Sequence, residues 1–243
     1  LIPADLPRAT LYVAPDRFDS ASAEVTGDAY RHLFRARRLA VGDAVRAVDG
    51  RGRARAGRVK AVGRSAAQIE LGEAQPALDP SSRVTLIVAP PRPERAAWLV
   101  EKATELGVAG IAWLECERSA RSISPAALAR HGRIAIAALE QCGGATLPTV
   151  SGPHAFADLS ELVAGLEALW VLDPQGAGRP SPLPGARDAL GLVIGPEGGW
   201  SDRERAALES LGGAAWCLGD RVLRVETAAV VGAALVLTQA VPL

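Results

Sequence analysis

From Arg83 onward the sequence alternates short apolar runs with stretches of helical period, and this leaves few folds open. Residues 84–89 are a continuous apolar run, the signature of a strand covered on both faces. Residues 110–114, 170–173, 190–194 and 215–218 read as further strands. Between them, Ala96, Leu99, Val100, Ala103 and Leu106 share one helical face, and Gly107 is placed to end that helix. Ser124-Pro125 gives an N-cap followed by proline at the first helical position, opening a helix that runs to about Cys142. Residues 158–169 read as another amphipathic helix. Ser201-Asp202-Arg203-Glu204 has the form of a capping box. Such an order points to an α/β fold with a mainly parallel sheet.

The first 78 residues follow a different rule. Residues 43–48, 53–61 and 66–71 alternate in polarity and are separated by Asp49-Gly50 and Gly63-Arg64, the pattern of antiparallel strands. A short helix opening near Gly27, with Asp28 as N-cap, would turn Leu33, Phe34 and Leu39 inward and Arg31, Arg35 and Arg38 outward. Residues 75–82 are the expected linker, and the Pro/Gly-rich stretch 174–185 the expected mobile loop.

Net charge is zero, but residues 31–64 hold eleven basic residues against Asp43 and Asp49. That excess suits either a solvated arginine face or a phosphate backbone. Cys116, Cys142 and Cys217 are widely spaced, match no metal pattern and read as small buried apolar residues in a reducing, cytoplasmic setting. The longest apolar run, residues 228–237, is too short to span a bilayer. Neither a membrane nor a metal is expected.

Two glycine-bearing loops follow the last strands: Gly195-Pro196-Glu197-Gly198-Gly199 and Leu218-Gly219-Asp220-Arg221-Val222-Leu223-Arg224. The first lacks the Lys-Ser/Thr ending of a phosphate loop, lacks dinucleotide spacing, and carries Glu197, which repels phosphate. A neutral or cationic ligand without phosphates, such as S-adenosylmethionine, fits better; tight turns alone are the other reading.

These two strings, with Glu226-Thr227-Ala228, Glu101-Lys102-Ala103-Thr104-Glu105-Leu106-Gly107-Val108, Glu140-Gln141-Cys142 and Pro148, resemble the bacterial ribosomal RNA small subunit methyltransferase E family of knotted methyltransferases. His32-Leu33, Arg37-Arg38-Leu39 and Gly42-Asp43 resemble its PUA-like domain. The resemblance implies a PUA-like β-barrel RNA-binding domain over residues 1–78 and an α/β-knot methyltransferase domain over 79–243, ending in a trefoil knot. It implies S-adenosylmethionine-dependent methylation of N3 of one uridine in the decoding region of 16S rRNA, by a homodimer acting on the small ribosomal subunit. By the same resemblance Leu172, Ile194, Gly195, Glu197, Gly198, Leu218, Gly219, Leu223, Thr227 and Ala228 bind the cofactor. Arg224 and Glu226 are the expected catalytic residues, Arg224 to hold the charge on the uracil or a phosphate beside it and Glu226 as base or as the partner that orients Arg224; a structural Arg–Glu pair bracing the knot is the other reading. Arg31, His32, Arg35, Arg37 and Arg38 bind RNA. Gly144 and the turn Pro91-Arg92-Pro93-Glu94-Arg95 depart from the family's pattern. Another knotted enzyme, such as a tRNA ribose 2′-O methyltransferase, and a non-catalytic RNA-binding assembly factor are the alternatives.

Overall fold

The structure, a computed structural model, describes residues 7–77, 84–180 and 188–238. The chain forms two compact units: Leu1–Pro80 with Ile136–Leu147, and Ser81–Ala135 with Pro148–Leu243. No helix among the described residues is long and apolar enough to cross a membrane.

The first unit is built on β1 (Thr10–Tyr12), β2 (Ser22–Thr26), β3 (Ala44–Val48), β4 (Arg53–Val62) and β5 (Ala66–Pro76), in the order β1-β3-β4-β5-β2. The β1–β3 pair is parallel and the others are antiparallel. Register breaks between Arg55 and Gly57 and between Val59 and Ala61 bend β4 against β5. The sheet curls so that all five strands feed one core with Phe18, Leu33, Phe34 and Leu39. The expected helix is a single turn, α1 (Gly27–Tyr30), continued as a π-helical turn over Arg31–Ala36. Its N-cap is Thr26, not Asp28, because Asp28 lies inside the first turn and binds Arg31. β5 runs through Pro76, into the stretch expected to be linker; residues 78–82 of that stretch lie outside the described residues. Leu139 and Ala145 pack on Val48, and Glu140 Oε1 accepts the Tyr12 N–H at 2.9 Å. Burial pushes the Glu140 carboxyl up, and the bond from Tyr12 offsets only part of the rise.

The second unit is a six-stranded sheet, parallel throughout, ordered β11-β9-β10-β6-β7-β8. Its strands are β6 (Val84–Val88), β7 (Gly110–Glu115), β8 (Thr149–Ala155), β9 (Ala168–Ala177), β10 (Leu190–Ile194) and β11 (Ala214–Trp216). Its helices are α2 (Pro93–Leu106), the first part of α3 (Pro125–Cys142), α4 (Leu159–Leu162), α5 (Asp202–Ser210) and α6 (Val225–Leu237). The central strands β6 and β10 are buried almost throughout, as their composition requires. On one face Ile87, Leu114, Val171 and Val193 meet Leu159, Trp200 and Leu208. Elsewhere α2 packs on α6, and α6 on β6 and β10. Ala96, Leu99, Val100 and Ala103 of α2 are fully buried, and Gly107 ends the helix in the left-handed conformation.

Three expectations change here. The helix over residues 158–169 is only the short α4 after a 3-10 turn, because the chain turns at Gly165 in the left-handed region. β9 reaches Ala177, so residues 174–177 of the expected mobile loop are strand; residues 181–185 lie outside the described residues. β8 was not anticipated: it is an edge strand with little buried surface and carries Gly152-Pro153, so it shows no apolar period. Of the cysteines only Cys116 is buried, its thiol pushed up to about 12 by burial and by Glu204; Cys142 is exposed and Cys217 half-buried.

Candidate active site

A cavity of about 490 Å³ opens at the carboxyl ends of β9, β10 and β11, where open parallel sheets hold ligands. Its walls are Leu172, Asp173 and Pro174 of β9, the loop from Ile194 to Trp200, the loop from Cys217 to Arg224, and Val225 and Ala228 of α6. Arg95 of α2, Arg205 of α5 and Trp216 of β11 complete it.

Local sequence explains why the loops hold their shape. A Cβ on Gly195 would meet the Trp200 ring at 2.6 Å, so glycine there lets the buried indole fold under its own loop. Gly219 has φ +142 and open space where a side chain would begin, so glycine keeps both the backbone and the cavity free. The capping box forms: Ser201 Oγ accepts the Glu204 N–H at 3.2 Å, and Glu204 Oε2 accepts the Ser201 N–H at 2.9 Å. Glu204, almost wholly buried, also accepts the Glu117 N–H through Oε1 at 2.8 Å. Arg118 donates to the carbonyls of Gly198 and Trp200 at 3.2 and 3.3 Å.

The charges around the cavity are mixed. Asp173, buried, is bound by Arg205 and accepts the Gln175 N–H at 2.9 Å. Arg95 lies 3.3 Å from Glu197 and 3.5 Å from Glu226. The Arg221 and Arg224 side chains are exposed and make no ion pair or hydrogen bond among the described residues. The second carboxylate oxygen of Glu226, Oε2, is buried without a hydrogen bond.

Of the sequence-derived residues, Leu172, Ile194, Gly195, Glu197, Leu218, Gly219, Leu223, Ala228 and Arg224 line this one cavity. Gly198, Thr227 and Glu226 do not line it, although Val225 and Ala228 beside them do. The expected Arg224–Glu226 pair does not form: Arg224 is the N-cap residue of α6 and faces solvent, while Glu226 turns inward to Arg95. Arg95, Asp173, Trp200, Arg205 and Trp216 were missed as wall residues. A signal existed for Arg95 alone, in the turn that departs from the family's pattern. In the first unit Arg31, His32, Arg35, Arg37 and Arg38 are all exposed. Arg31 is held by Asp28, and Arg35 donates to the Arg64 carbonyl at 2.9 Å and lies over the Tyr30 ring. Arg38 adopts φ +57. No group of His, Cys, Asp and Glu able to hold a metal occurs among the described residues.

Residues 79–237 match the RNA methyltransferase domain, and residues 25–72 the RNA methyltransferase PUA domain. The chain is 32% identical over 232 residues to the ribosomal RNA small subunit methyltransferase E of a Synechocystis species, covering 92% of this chain and 75% of that one. The chain belongs to the ribosomal RNA small subunit methyltransferase E family. The Mycobacterium bovis member is 34% identical over 235 residues, covering 90% of this chain and 87% of its own. The Neisseria gonorrhoeae member, solved bound to S-adenosyl methionine, superposes with a TM-score of 0.83 at 26% identity, covering 95% of this chain and 97% of that one. The PUA match falls within the first unit, and the methyltransferase match covers the parallel sheet of the second unit together with residues 136–147 of the first.

Proposed function

We propose that this member of the family transfers the methyl group of S-adenosylmethionine to N3 of one uridine in the decoding region of 16S rRNA. In this reading it acts in the cytoplasm, on the small ribosomal subunit, as a homodimer with a knotted C-terminus. The observation that carries it is a cavity walled by strand β9 and the loops after β10 and β11, with the unpaired Arg224 among its lining residues.

The donor fits the walls. Leu172, Ile194, Leu218, Trp216 and Val225 offer apolar surface for adenine. The paired Asp173 and Arg205 offer one carboxylate and one guanidinium to a zwitterionic amino-acid tail. Of the four arginines that line the cavity, Arg95 and Arg205 are held by carboxylates, while Arg221 and Arg224 are exposed and, among the described residues, unpaired. When bound, the sulfonium supplies an activated methyl group. The protein's task is then to align N3 behind it and to handle the proton that N3 carries.

An imide nitrogen is a poor nucleophile while protonated. Glu226, which stands next to the lining residues Arg224 and Val225 rather than in the wall itself, takes that proton through Oε2, the buried oxygen without a hydrogen bond. Arg224 holds the negative charge that spreads over the flanking carbonyls. The arginines of residues 31–38 grip the RNA backbone in the first unit. Trp98 of α2 and Val231 and Leu235 of α6, all exposed on helices that pack together, support the homodimer. A monomer by light scattering would remove that part of the reading.

The decisive experiment incubates the protein and S-adenosylmethionine with small subunits from a strain lacking the modification, followed by nucleoside analysis. The expected product is 3-methyluridine. A ribose-methylated nucleoside, or no methylated product, refutes the reading.

A further inference from the structure

Arg95 stands where its own helix disfavours it. It lies in the first turn of α2, the end whose partial positive charge repels a cation. Its side chain is about three-quarters covered, and its guanidinium meets two carboxylates from two other elements. Nη1 lies 3.3 Å from Oε1 of Glu197, in the loop after β10. Nε lies 3.5 Å from Oε1 of Glu226, in the first turn of α6. Glu197 is half exposed, whereas Glu226 is nine-tenths buried, so among the described residues Glu226 depends on this arginine for its only charged contact. Of the elements that pack on α6, the strands β6 and β10 bring no charged side chain, and α2 brings Arg95. A buried carboxylate with one oxygen paired and the other empty is costly unless the empty valence has a use.

We propose that Arg95 is a positioning residue for methyl transfer: one guanidinium sets the Glu226 carboxylate and ties it to the Glu197 side of the cofactor loop. It fixes Oε1, leaving Oε2 to accept a proton, and makes the geometry of Glu226 depend on that of the loop. This inference rests on the function proposed above and adds a residue to it. A lysine could not copy it, since an ammonium on a flexible stem lacks the planar fork that meets two carboxylates at once.

The test is a set of double-mutant cycles. Single-turnover transfer is measured for wild type, Arg95→Gln, Glu226→Gln and the double variant, with cofactor affinity followed by calorimetry. Arg95→Gln is expected to slow transfer about 100-fold while the cofactor Kd stays within about threefold, and Arg95→Lys to recover less than about a tenth of the lost rate. In the Glu226→Gln background, Arg95→Gln should cost no more than about twofold, because the residue it acts through is already gone. An equal loss in both backgrounds, or a single-turnover rate unchanged by Arg95→Gln, overturns the proposal.

The shared clamp is also read without activity, from thermal unfolding of the unliganded protein. Glu197→Gln and Glu226→Gln should shift the midpoint non-additively when Arg95 is present and additively in Arg95→Lys; additivity in both overturns the clamp. If Arg95→Gln does not fold, Arg95→Lys takes its place in the transfer cycle. A wild type that binds cofactor but methylates no small-subunit RNA defeats the functional reading, and the unfolding cycle still decides the clamp.

Discussion

Two arginine–carboxylate clusters, one in each unit, use the same chemistry to opposite ends. In the first unit Arg55 is buried and donates to the carbonyls of Phe18, Ser20, Leu71 and Gly72. Arg53 bonds Asp49 at 2.7 Å and Asp19 at 3.1 Å, and both guanidinium groups lie over the Phe18 ring. Asp49 also accepts the N–H groups of Arg51 and Arg53. Burial alone would push its carboxyl up, but these bonds together outweigh burial and hold it below the usual value. Its carboxylate is fully engaged. In the second unit Arg95 holds Glu197 and Glu226 by longer contacts, and Glu226 keeps an oxygen with nothing bound to it. A satisfied network rigidifies a fold, whereas one with an open valence has capacity left for a substrate.

The sharpest way to break this comparison is at the edge of the cavity. Arg224→Ala is expected to slow methyl transfer about 1,000-fold, the scale of losing a charge-stabilising donor, with cofactor affinity within a few fold. Single-turnover assays and calorimetry measure the two; a loss of folding instead would make Arg224 a brace like Arg55. Next in size, Arg55→Met should lower stability by about 3 kcal/mol, since four carbonyls lose one donor in a buried setting. Urea unfolding measures the loss, and transfer by the folded fraction should be unchanged.

The smallest effect sharpens the contrast in the first unit. Folding raises the value at which Glu140 titrates, so it favours the protonated acid. That contribution is present below the unfolded value and is lost as pH rises through the raised folded value. Glu140→Gln keeps an acceptor for the Tyr12 N–H and does not titrate. It should therefore match wild type in acid and exceed it at neutral pH by less than about 1 kcal/mol, read from unfolding curves at the two pH values.

The parallel sheet was legible because buried strands must be apolar whatever their partners, and β6 and β10 obey that rule with Thr85 the one polar exception. β8 was not, since an exposed edge strand has no such obligation. The glycine loops were legible as turns and as unsuited to phosphates, which left S-adenosylmethionine one candidate, but the commitment to it and the expectation of a knot rested on the family resemblance. Glu226 shows the limit most plainly. Reading along the chain offered Arg224 as its partner, yet residues two apart at the start of a helix do not face each other. The actual partner, Arg95, lies on a helix far away in sequence. The arginine face of residues 31–38 was visible from charge, but which arginines stay unpaired depends on Asp28, three residues before Arg31, and on the Arg64 carbonyl, which only the fold brings to Arg35.

Glu204 has a consequence of its own. Its carboxylate fastens the start of α5 to the turn after β7, while β10 fixes the other end of the Gly195–Trp200 stretch by its strand pairing. The stretch is thus a span between two piers, and its length is set more tightly than its composition. Exchanging one side chain within it leaves both piers standing. Adding a single residue also leaves them standing, but swings Glu197 away from Arg95 and misaligns every backbone group that faces the cavity. Apart from Gly195, where a side chain would strike the Trp200 ring, Gly199 in the left-handed region and the Glu197 that Arg95 holds, variation along this stretch should therefore be tolerated as substitution and rejected as insertion or deletion.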